Sequence, residues 1–165
     1  MANIKCVIWD LDNTIWEGIC LEDDQVNLRP GIKDVLREVG ERGIVQSIAS
    51  KNEESALDFV EKFGLKEYFV YPHVNWEPKE ENIRSIAEIL NIGLDSVAFI
   101  DDNPFERESV ETMVPGVRTY DAADYMKLIE LPEMQLQYDT PEARARGRMY
   151  VDEAVRKELE LSLIH

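Results

Sequence analysis

Apolar runs of strand length alternate with segments of helical periodicity along most of this chain, and this alternation limits the folds open to it. Strands are predicted at residues 4–9, 44–49, 69–74, 97–100 and 117–120. Apolar residues recur at helical spacing in the segments between them, which predicts helices over about residues 32–39, 53–63, 79–92, 104–114 and 122–129. This order of elements indicates a parallel sheet with right-handed crossovers and helices on both faces, an α/β, doubly wound fold.

The predicted elements divide the chain into a sheet domain and a C-terminal extension. With 165 residues, of which 44% are hydrophobic, the chain is long enough for one well-buried domain, which we expect to cover residues 1–130. Thr140 and Pro141 form a helix cap followed by a proline at the first helical position. We therefore expect residues 131–165 to be a helical extension packed on the same domain, with the break at residues 131–139.

Charge and hydropathy argue against two classes of partner. The formal net charge of -16 disfavours nucleic acid, because affinity for a phosphate backbone comes from clustered Lys and Arg. No apolar stretch approaches the length needed to span a bilayer, so no membrane partner is expected. The two cysteines, Cys6 and Cys20, lack metal-ligand spacing and are interpreted as reduced thiols. We expect a cytoplasmic protein.

Polar residues follow the ends of the predicted central strands. Asp10 and Asp12 come directly after the first strand, with the hydroxyl of Thr14 two residues further on. In a doubly wound sheet, ligands bind at the carboxyl ends of the strands, where the connecting loops meet. The other strands bring three further groups to the same edge: Ser50-Lys51-Asn52, Pro78-Lys79 and Asp101-Asp102-Asn103.

The residue types at this edge indicate a metal and phosphate site. Carboxylates gathered together repel one another unless a cation lies among them. Oxygen ligands of this kind suit Mg²⁺, which usually takes one or two carboxylates together with waters and a substrate phosphate. The backbone N–H groups at the predicted helix start after Ser50 would suit an anion. A lone D-x-D-x-T pattern is nevertheless equally typical of capped strand ends and solvated turns.

The whole set of residues resembles a known superfamily. Asp10-Leu-Asp12-Asn-Thr14, Ser50, Lys79 and Asp101-Asp102, in this order on alternating strands, are similar to the four motifs of the haloacid dehalogenase (HAD) superfamily of phosphotransferases. More narrowly, DLDNTIWEG, ASKNEESAL, VNWEPKEENI, GLDSVAFIDDNPFERE and ARARGRMYVDEAVR resemble the FkbH-like members, the subfamily IIIC phosphatases, some of which are modules of polyketide pathways. The resemblance covers nearly the whole chain.

This resemblance implies a phosphohydrolase that acts on a phosphorylated small molecule, either a phosphate ester or an acyl phosphate. Asp10 would be the nucleophile and would form an aspartyl-phosphate, and Asp12 would be the general acid and base. Mg²⁺ would be held by Asp10, the backbone carbonyl of Asp12, Asp101 and Asp102. Thr14 is expected to order the loop rather than to react.

The resemblance also implies which residues hold the phosphate and which surround the substrate. Ser50 and Lys79 would bind the non-bridging oxygens, with Leu11, Lys51 and Asn52 beside them. The candidates for the mouth of the site are Thr14, Trp16, Glu17 and Asn103.

The sequence departs from the pattern of its relatives in three respects. The segments after Thr14 and after Ser50 are too short to hold a cap domain, so we expect an open site that takes a large or protein-tethered substrate, or a phosphate ester admitted beside Trp16. The usual Gly-Gly after this tryptophan is Glu17-Gly18. Some FkbH-like proteins also carry a cysteine between the two motif aspartates, where this chain has Leu11.

These departures leave three functions open. The first is simple phosphate hydrolysis, which the missing cysteine favours. The second is a glyceryl-type acyl transfer from 1,3-bisphosphoglycerate to an acyl carrier protein, for which Cys20 would be the thiol. The third, of another class, is a binding or scaffold module with a vestigial site, and the intact set of charges argues against it.

Two groups of side chains have alternative interpretations. Arg144 and Arg148 lie four residues apart on the last predicted helix and are expected to be solvated and paired with Glu142 and Asp152. The alternative is a dock for an acidic carrier protein. Trp16 and Trp76 either flank the site or pack in the core.

Overall fold

A five-stranded parallel sheet forms the centre of the computed structural model. The structure describes residues 3–164, so residues 1–2 of the predicted sheet domain and residue 165 of the predicted C-terminal extension lie outside the described residues. The strands are β1 (Cys6–Trp9), β2 (Trp16–Glu17), β3 (Asn27–Leu28), β4 (Val45–Lys51), β5 (His73–Asn75), β6 (Val97–Asp101) and β7 (Arg118–Asp121). The sheet order is β5-β4-β1-β6-β7, and β2 pairs with β3 as a separate antiparallel ribbon. The two most apolar predicted strands, β1 and β6, therefore lie side by side within the sheet.

Helices connect the strands and follow the last of them. They are α1 (Ile32–Glu41), α2 (Leu57–Lys62), α3 (Lys79–Leu90), α4 (Pro104–Met113) and α5 (Pro141–Ile164). Shorter 3₁₀ segments cover Glu54–Ala56, Lys66–Tyr68, Leu94–Ser96, Ala122–Glu130 and Pro132–Met134. Among the residues that the structure describes, none of the helices combines the length and the hydropathy of a bilayer-spanning segment.

The sheet separates two apolar cores, one on each face. Successive side chains of a strand point to opposite faces, so Val7 and Trp9 of β1 belong to one core and Cys6 and Ile8 to the other. Residues of α1, α2 and the 3₁₀ segment Ala122–Glu130 pack into the first core, and residues of α3 and α4 into the second. The predicted α/β, doubly wound fold is confirmed.

Two predicted elements differ from the structure. The strand predicted over residues 69–74 is present only as His73–Asn75, because Tyr71 has a φ of 49° that interrupts the extended run. Phe69 and Val70 are nevertheless buried, which explains their apolar character. The helix predicted over residues 122–129 is a 3₁₀ segment kinked at Asp124.

The C-terminal helix α5 crosses the end of α1 at a contact between two glycines. A Cβ added to Gly147 would lie 2.7 Å from the backbone nitrogen of Gly43 and 2.9 Å from the carbonyl oxygen of Glu41. Gly43 itself has a φ of 79°, in the left-handed region that favours glycine. The two backbones can approach this closely only because neither residue carries a side chain.

Arg144 ties the same helix to α1 through ion pairs. Its guanidinium lies 3.1 Å from a carboxylate oxygen of Glu38, 3.3 Å from one of Glu41 and 2.7 Å from one of Asp139. The pairing of Arg144 with Glu142 and Asp152 expected from the sequence is therefore wrong. Helical spacing predicts contacts between residues of one helix. It cannot predict the carboxylates of α1 that tertiary packing brings to Arg144.

We expect Gly147→Ala to destabilise the protein by about 1 to 3 kcal/mol, because the added methyl group overpacks a backbone contact. Helix propensity alone predicts the opposite sign, since Ala is about 1 kcal/mol better than Gly inside a helix. Chemical denaturation followed by circular dichroism measures the difference. A more stable variant would show that α5 does not depend on this close approach.

Candidate active site

Four buried polar residues meet at the carboxyl edge of the sheet. Asp10 follows β1, Ser50 lies near the end of β4, Lys79 opens α3, and Asp101 ends β6; each is at most 6% exposed. The register of β1 on β6 pairs Trp9 with Ile100, which places the two aspartates that follow these strand residues next to each other. The fold therefore brings these side chains together at the carboxyl edge of the sheet, where the sequence predicts them.

A cleft of about 510 Å³ opens over these residues. Its lining consists of Asp10, Asp12, Asn13, Ile19, Leu21, Glu22, Ser50, Lys51, Asn52, Glu53, Trp76, Lys79, Asp101, Asp102, Asn103 and Glu106. The loop between β2 and β3 and the segment before α3 contribute its outer parts. Neither connection contains an inserted domain, so the cleft is open as the short segments predict.

Lys79 is the cation at the floor of this cleft. Its Nζ atom lies 2.5 Å from Asp101 Oδ2 and 3.2 Å from Asp10 Oδ1. Lys79 is the first residue of α3 because Pro78 precedes it, and the helix start directs it toward the strand ends. One ammonium group therefore faces two buried carboxylates.

Burial and neighbouring charges act in opposite directions on the pKa values of Asp10 and Lys79. Desolvation raises the pKa of Asp10 to about 8; Lys79 opposes the shift, and the charge of Asp101 adds to it. Burial alone would lower the pKa of Lys79, but the charges of Asp10 and Asp101 outweigh it and the pKa is raised. The single charge of Lys79 therefore does not offset the desolvation of Asp10, and a further cation at this position would favour the ionised form of that carboxyl.

The donor set fits a divalent metal. One carboxylate oxygen from each of Asp10, Asp101 and Asp102 lies within 4.8 Å of the others. All of these ligand atoms are oxygens, which hard cations such as Mg²⁺ prefer. Thr14 fixes the first of them, since its hydroxyl donates to Asp10 Oδ2 at 3.2 Å. Thr14 is fully buried, so it orders the loop, as expected, and does not line the mouth.

Asp12 lies in a different environment, held by three N–H donors. The indole Nε1 of Trp16 and the backbone N–H of Cys20 donate to its Oδ1 at 2.8 and 2.9 Å, and the side-chain amide of Asn52 donates to its Oδ2 at 2.8 Å. These bonds fix the direction of the carboxylate at the edge of the cleft. The two motif aspartates thus have separate partners, Lys79 for Asp10 and neutral donors for Asp12.

Of the two roles open to Trp16 from the sequence, at the mouth or in the core, the structure shows the core. Its side chain is fully buried, with ring centroids 6.1 Å from Phe59 and 5.8 Å from Phe63. The ring belongs to the core, and only its N–H reaches the site. Glu17, also predicted at the mouth, is exposed and lies outside the cleft lining.

Asn52 directly precedes the helix predicted over residues 53–63, but it does not cap a helix. The backbone turns first into the 3₁₀ segment at Glu54, and α2 begins only at Leu57. The Asn52 amide is used by Asp12 instead, and the ammonium of Lys51 lies 3.0 Å from Glu106. The side chains of both predicted phosphate ligands therefore already have partners.

The remaining predicted residues divide between site and structure. Leu11 has a fully buried side chain, so only its backbone can face a phosphate. Asn103 lines the cleft and also caps α4, where its Oδ1 accepts from the backbone N–H of Phe105 at 2.9 Å. Trp76 is exposed and lines the cleft.

Sequence reasoning missed six lining residues: Ile19, Leu21, Glu22, Asn13, Glu53 and Glu106. The first three follow the Glu17-Gly18 departure. That departure is the signal that could have directed attention to this loop.

Cys20 does not present a reactive thiol to the cleft. It is 4% exposed and lies outside the lining residues. Burial, followed by the charge of Asp12, raises its pKa to about 12, so the sulfur is protonated at neutral pH. Its contribution to the site is the backbone N–H that binds Asp12.

Comparison with known proteins identifies the family. A model of haloacid dehalogenase-like hydrolases matches residues 17–109, more than half of the chain, a range that includes Ser50, Lys79, Asp101 and Asp102. This chain is a haloacid dehalogenase-like hydrolase. The match begins after Asp10 and Asp12, which the fold places beside the other motifs. No curated protein is similar enough to this hydrolase to count as a match.

Solved structures share the fold. The N-terminal part of protein BF1531 from Bacteroides fragilis, described as containing a phosphatase domain complexed with Mg, is 35% identical with a TM-score of 0.62; the alignment covers 81% of this chain and 40% of that one. This hydrolase therefore spans less than half of that relative.

A HAD family enzyme from Bacteroides thetaiotaomicron, in complex with magnesium and inorganic phosphate, is 15% identical with a TM-score of 0.56, over 72% of this chain and 93% of that one. A HAD-superfamily hydrolase from Geobacter sulfurreducens is 16% identical with a TM-score of 0.59, over 76% and 99% of the two chains. At these identities the likeness concerns the fold.

Replacement of Lys79 by Met should destabilise the hydrolase by about 3 kcal/mol in the presence of a chelator, because two buried carboxylates lose their cation. Mg²⁺ should restore part of the loss by binding among the same carboxylates. Chemical denaturation with and without Mg²⁺ measures both effects.

Lys51→Met is the matched control, since its ion pair with Glu106 is partly exposed and is worth about 0 to 1 kcal/mol. Equal losses in the two variants, or no response of Lys79→Met to Mg²⁺, would contradict the proposed role of the cluster.

Proposed function

We propose that this hydrolase is a Mg²⁺-dependent phosphohydrolase of the FkbH-like kind, which acts through an aspartyl-phosphate on Asp10 upon a phosphorylated small molecule. One observation carries this proposal: three aspartate carboxylates and a buried lysine converge at the floor of an open cleft, and a fourth aspartate, Asp12, is held apart by neutral donors. The magnesium-bound phosphatase domain of the Bacteroides fragilis protein supports it.

In the first proposed step, a carboxylate oxygen of Asp10 attacks phosphorus, and the bond between phosphorus and the leaving oxygen breaks. Asp12 gives its proton to that leaving oxygen. In the second step, Asp12 takes a proton from a water molecule that attacks the phosphoryl group, and the bond to Asp10 breaks to release inorganic phosphate. Lys79 and the hydroxyl of Ser50 stabilise the phosphoryl oxygens in both steps.

The metal would be held by Asp10, Asp101, Asp102 and the backbone carbonyl of Asp12. Bound there, Mg²⁺ supplies positive charge that screens the attacking carboxylate from the anionic phosphate. Lys79 carries a single positive charge, which is too little to neutralise the three acidic side chains.

Hydrolysis is favoured over acyl transfer to a carrier protein. Transfer needs an accessible thiolate, and Cys20 is buried and protonated. Docking of a carrier protein on Arg144 and Arg148 is also disfavoured, because ion pairs with α1 already engage Arg144. A vestigial binding module is disfavoured because buried like charges are costly to retain without a use.

We expect Mg²⁺-dependent release of phosphate from at least one compound in a panel of phosphate esters and acyl phosphates. Asp10→Asn should reduce the rate by at least roughly 10³-fold, because an amide is a poor nucleophile. Colorimetric phosphate detection measures the rate, and circular dichroism confirms that the variant is folded. Release that persists in Asp10→Asn would refute the assignment of the nucleophile.

We expect Asn52→Ala and Trp16→Phe to slow hydrolysis of esters with poor leaving groups about tenfold, since each removes one N–H that positions the acid Asp12. An ester with a good leaving group, such as 4-nitrophenyl phosphate, needs little protonation and should be hydrolysed at nearly the original rate. Steady-state kcat for an alkyl and an aryl phosphate separates the two cases. Equal losses on both esters would indicate a general structural defect.

A further inference from the structure

The outer part of the cleft carries an apolar surface that the phosphoryl chemistry does not use. Trp76 is 65% exposed, and Ile19 and Leu21 on the β2–β3 loop are 36% and 41% exposed. All three line the same cleft as the carboxylates of the floor. One exposed tryptophan and two exposed aliphatic side chains in a single cleft offer apolar contact to the part of the substrate that leaves.

The Trp76 ring is held in place. Its Nε1 donates a hydrogen bond of 3.0 Å to Oε1 of Glu53, which follows β4 on the neighbouring connection. The tryptophan also lies in the short turn between β5 and Pro78, the residue that starts α3. Binding against a ring that is already fixed loses little conformational freedom.

The charge of the cleft selects among leaving groups. Seven carboxylate side chains line it: Asp10, Asp12, Glu22, Glu53, Asp101, Asp102 and Glu106. The two lysines of the lining are both engaged, Lys79 with Asp10 and Asp101, and Lys51 with Glu106. A divalent ion at the floor therefore leaves the lining net negative, and Glu22 and Glu53 extend that charge to the outer part.

We infer that the leaving group is apolar, carries no negative charge and packs against Trp76, so that the substrate is a phosphate monoester with a single phosphate. This inference rests on the proposed phosphohydrolase function and narrows its substrate class. A carboxylate or second phosphate on the leaving group would enter a negatively charged cleft and be repelled. The phosphate itself is accepted because the metal and Lys79 receive it.

The test compares ligands of matched shape that differ in charge. The non-hydrolysable probes are 4-methylpentylphosphonate and its carboxylate counterpart 4-phosphonobutyrate, titrated calorimetrically into the full chain with Mg²⁺. The uncharged tail should bind at least about tenfold more tightly. Turnover of the related esters, 3-methylbutyl phosphate and 3-phosphooxypropanoate, is measured in parallel.

Three variants test which side chains cause the preference for the uncharged probe. Trp76→Ala should weaken binding of the uncharged probe about fivefold and that of the carboxylate probe less. Glu53→Gln keeps an acceptor for the indole N–H but removes a negative charge. It should therefore reduce the difference in affinity between the uncharged probe and the carboxylate probe. Phe105→Ala is the matched control, because Phe105 is 81% exposed but lies outside the cleft lining, and it should leave both affinities unchanged.

Equal or tighter binding of the carboxylate probe would overturn the inference, as would an equal effect of Trp76→Ala on both probes. The failure of the proposed function looks different. If the uncharged probe is preferred and neither ester is hydrolysed with Mg²⁺, the cleft preference stands and the phosphohydrolase proposal falls. If both esters are hydrolysed and the carboxylate ester is preferred, the phosphohydrolase proposal stands and the inference falls.

Discussion

The buried contact of Lys79 with Asp10 and Asp101 is the interaction on which the site depends. Two like charges at adjacent strand ends would destabilise the fold unless a cation joined them, and α3 supplies that cation from its first residue. The sheet register brings the aspartates together, and the crossover helix brings the lysine. The same three side chains therefore serve both the chemistry and the stability of the fold. A metal ion would bind to carboxylates that already interact with Lys79.

The two motif aspartates differ in role because they differ in surroundings. Asp10 faces a cation and other carboxylates in a buried position, which suits a nucleophile next to a metal. Asp12 points to the loop side, where Trp16, Cys20 and Asn52 hold it by neutral hydrogen bonds. The strand β1 ends at Trp9, so the regular alternation of a strand does not hold these two side chains on one face. One short segment thus supplies both a nucleophile and a separately positioned acid.

The sequence was informative where one local signal has one structural meaning. Continuous apolar runs located β1 and β6, and the polar residues at the strand ends located the floor of the cleft. It failed where a residue had two possible partners. Asn52 could cap a helix or donate its side-chain amide, and it donates to Asp12. Trp16 could line the mouth or pack in the core, and it packs in the core. Arg144 pairs with carboxylates of α1, which helical spacing cannot predict. Tertiary proximity decides such cases.

Covalent trapping tests the central claim most directly. The chain, with Mg²⁺ and acetyl phosphate as a small acyl-phosphate donor, is quenched rapidly in acid and reduced with borohydride, which converts an aspartyl-phosphate to homoserine. Peptide mass spectrometry then locates the change. The account predicts homoserine at position 10, dependent on Mg²⁺ and absent in Asp10→Asn. Phosphate release with no reduced residue at position 10, or with the change at Asp12 or Asp101, would contradict it.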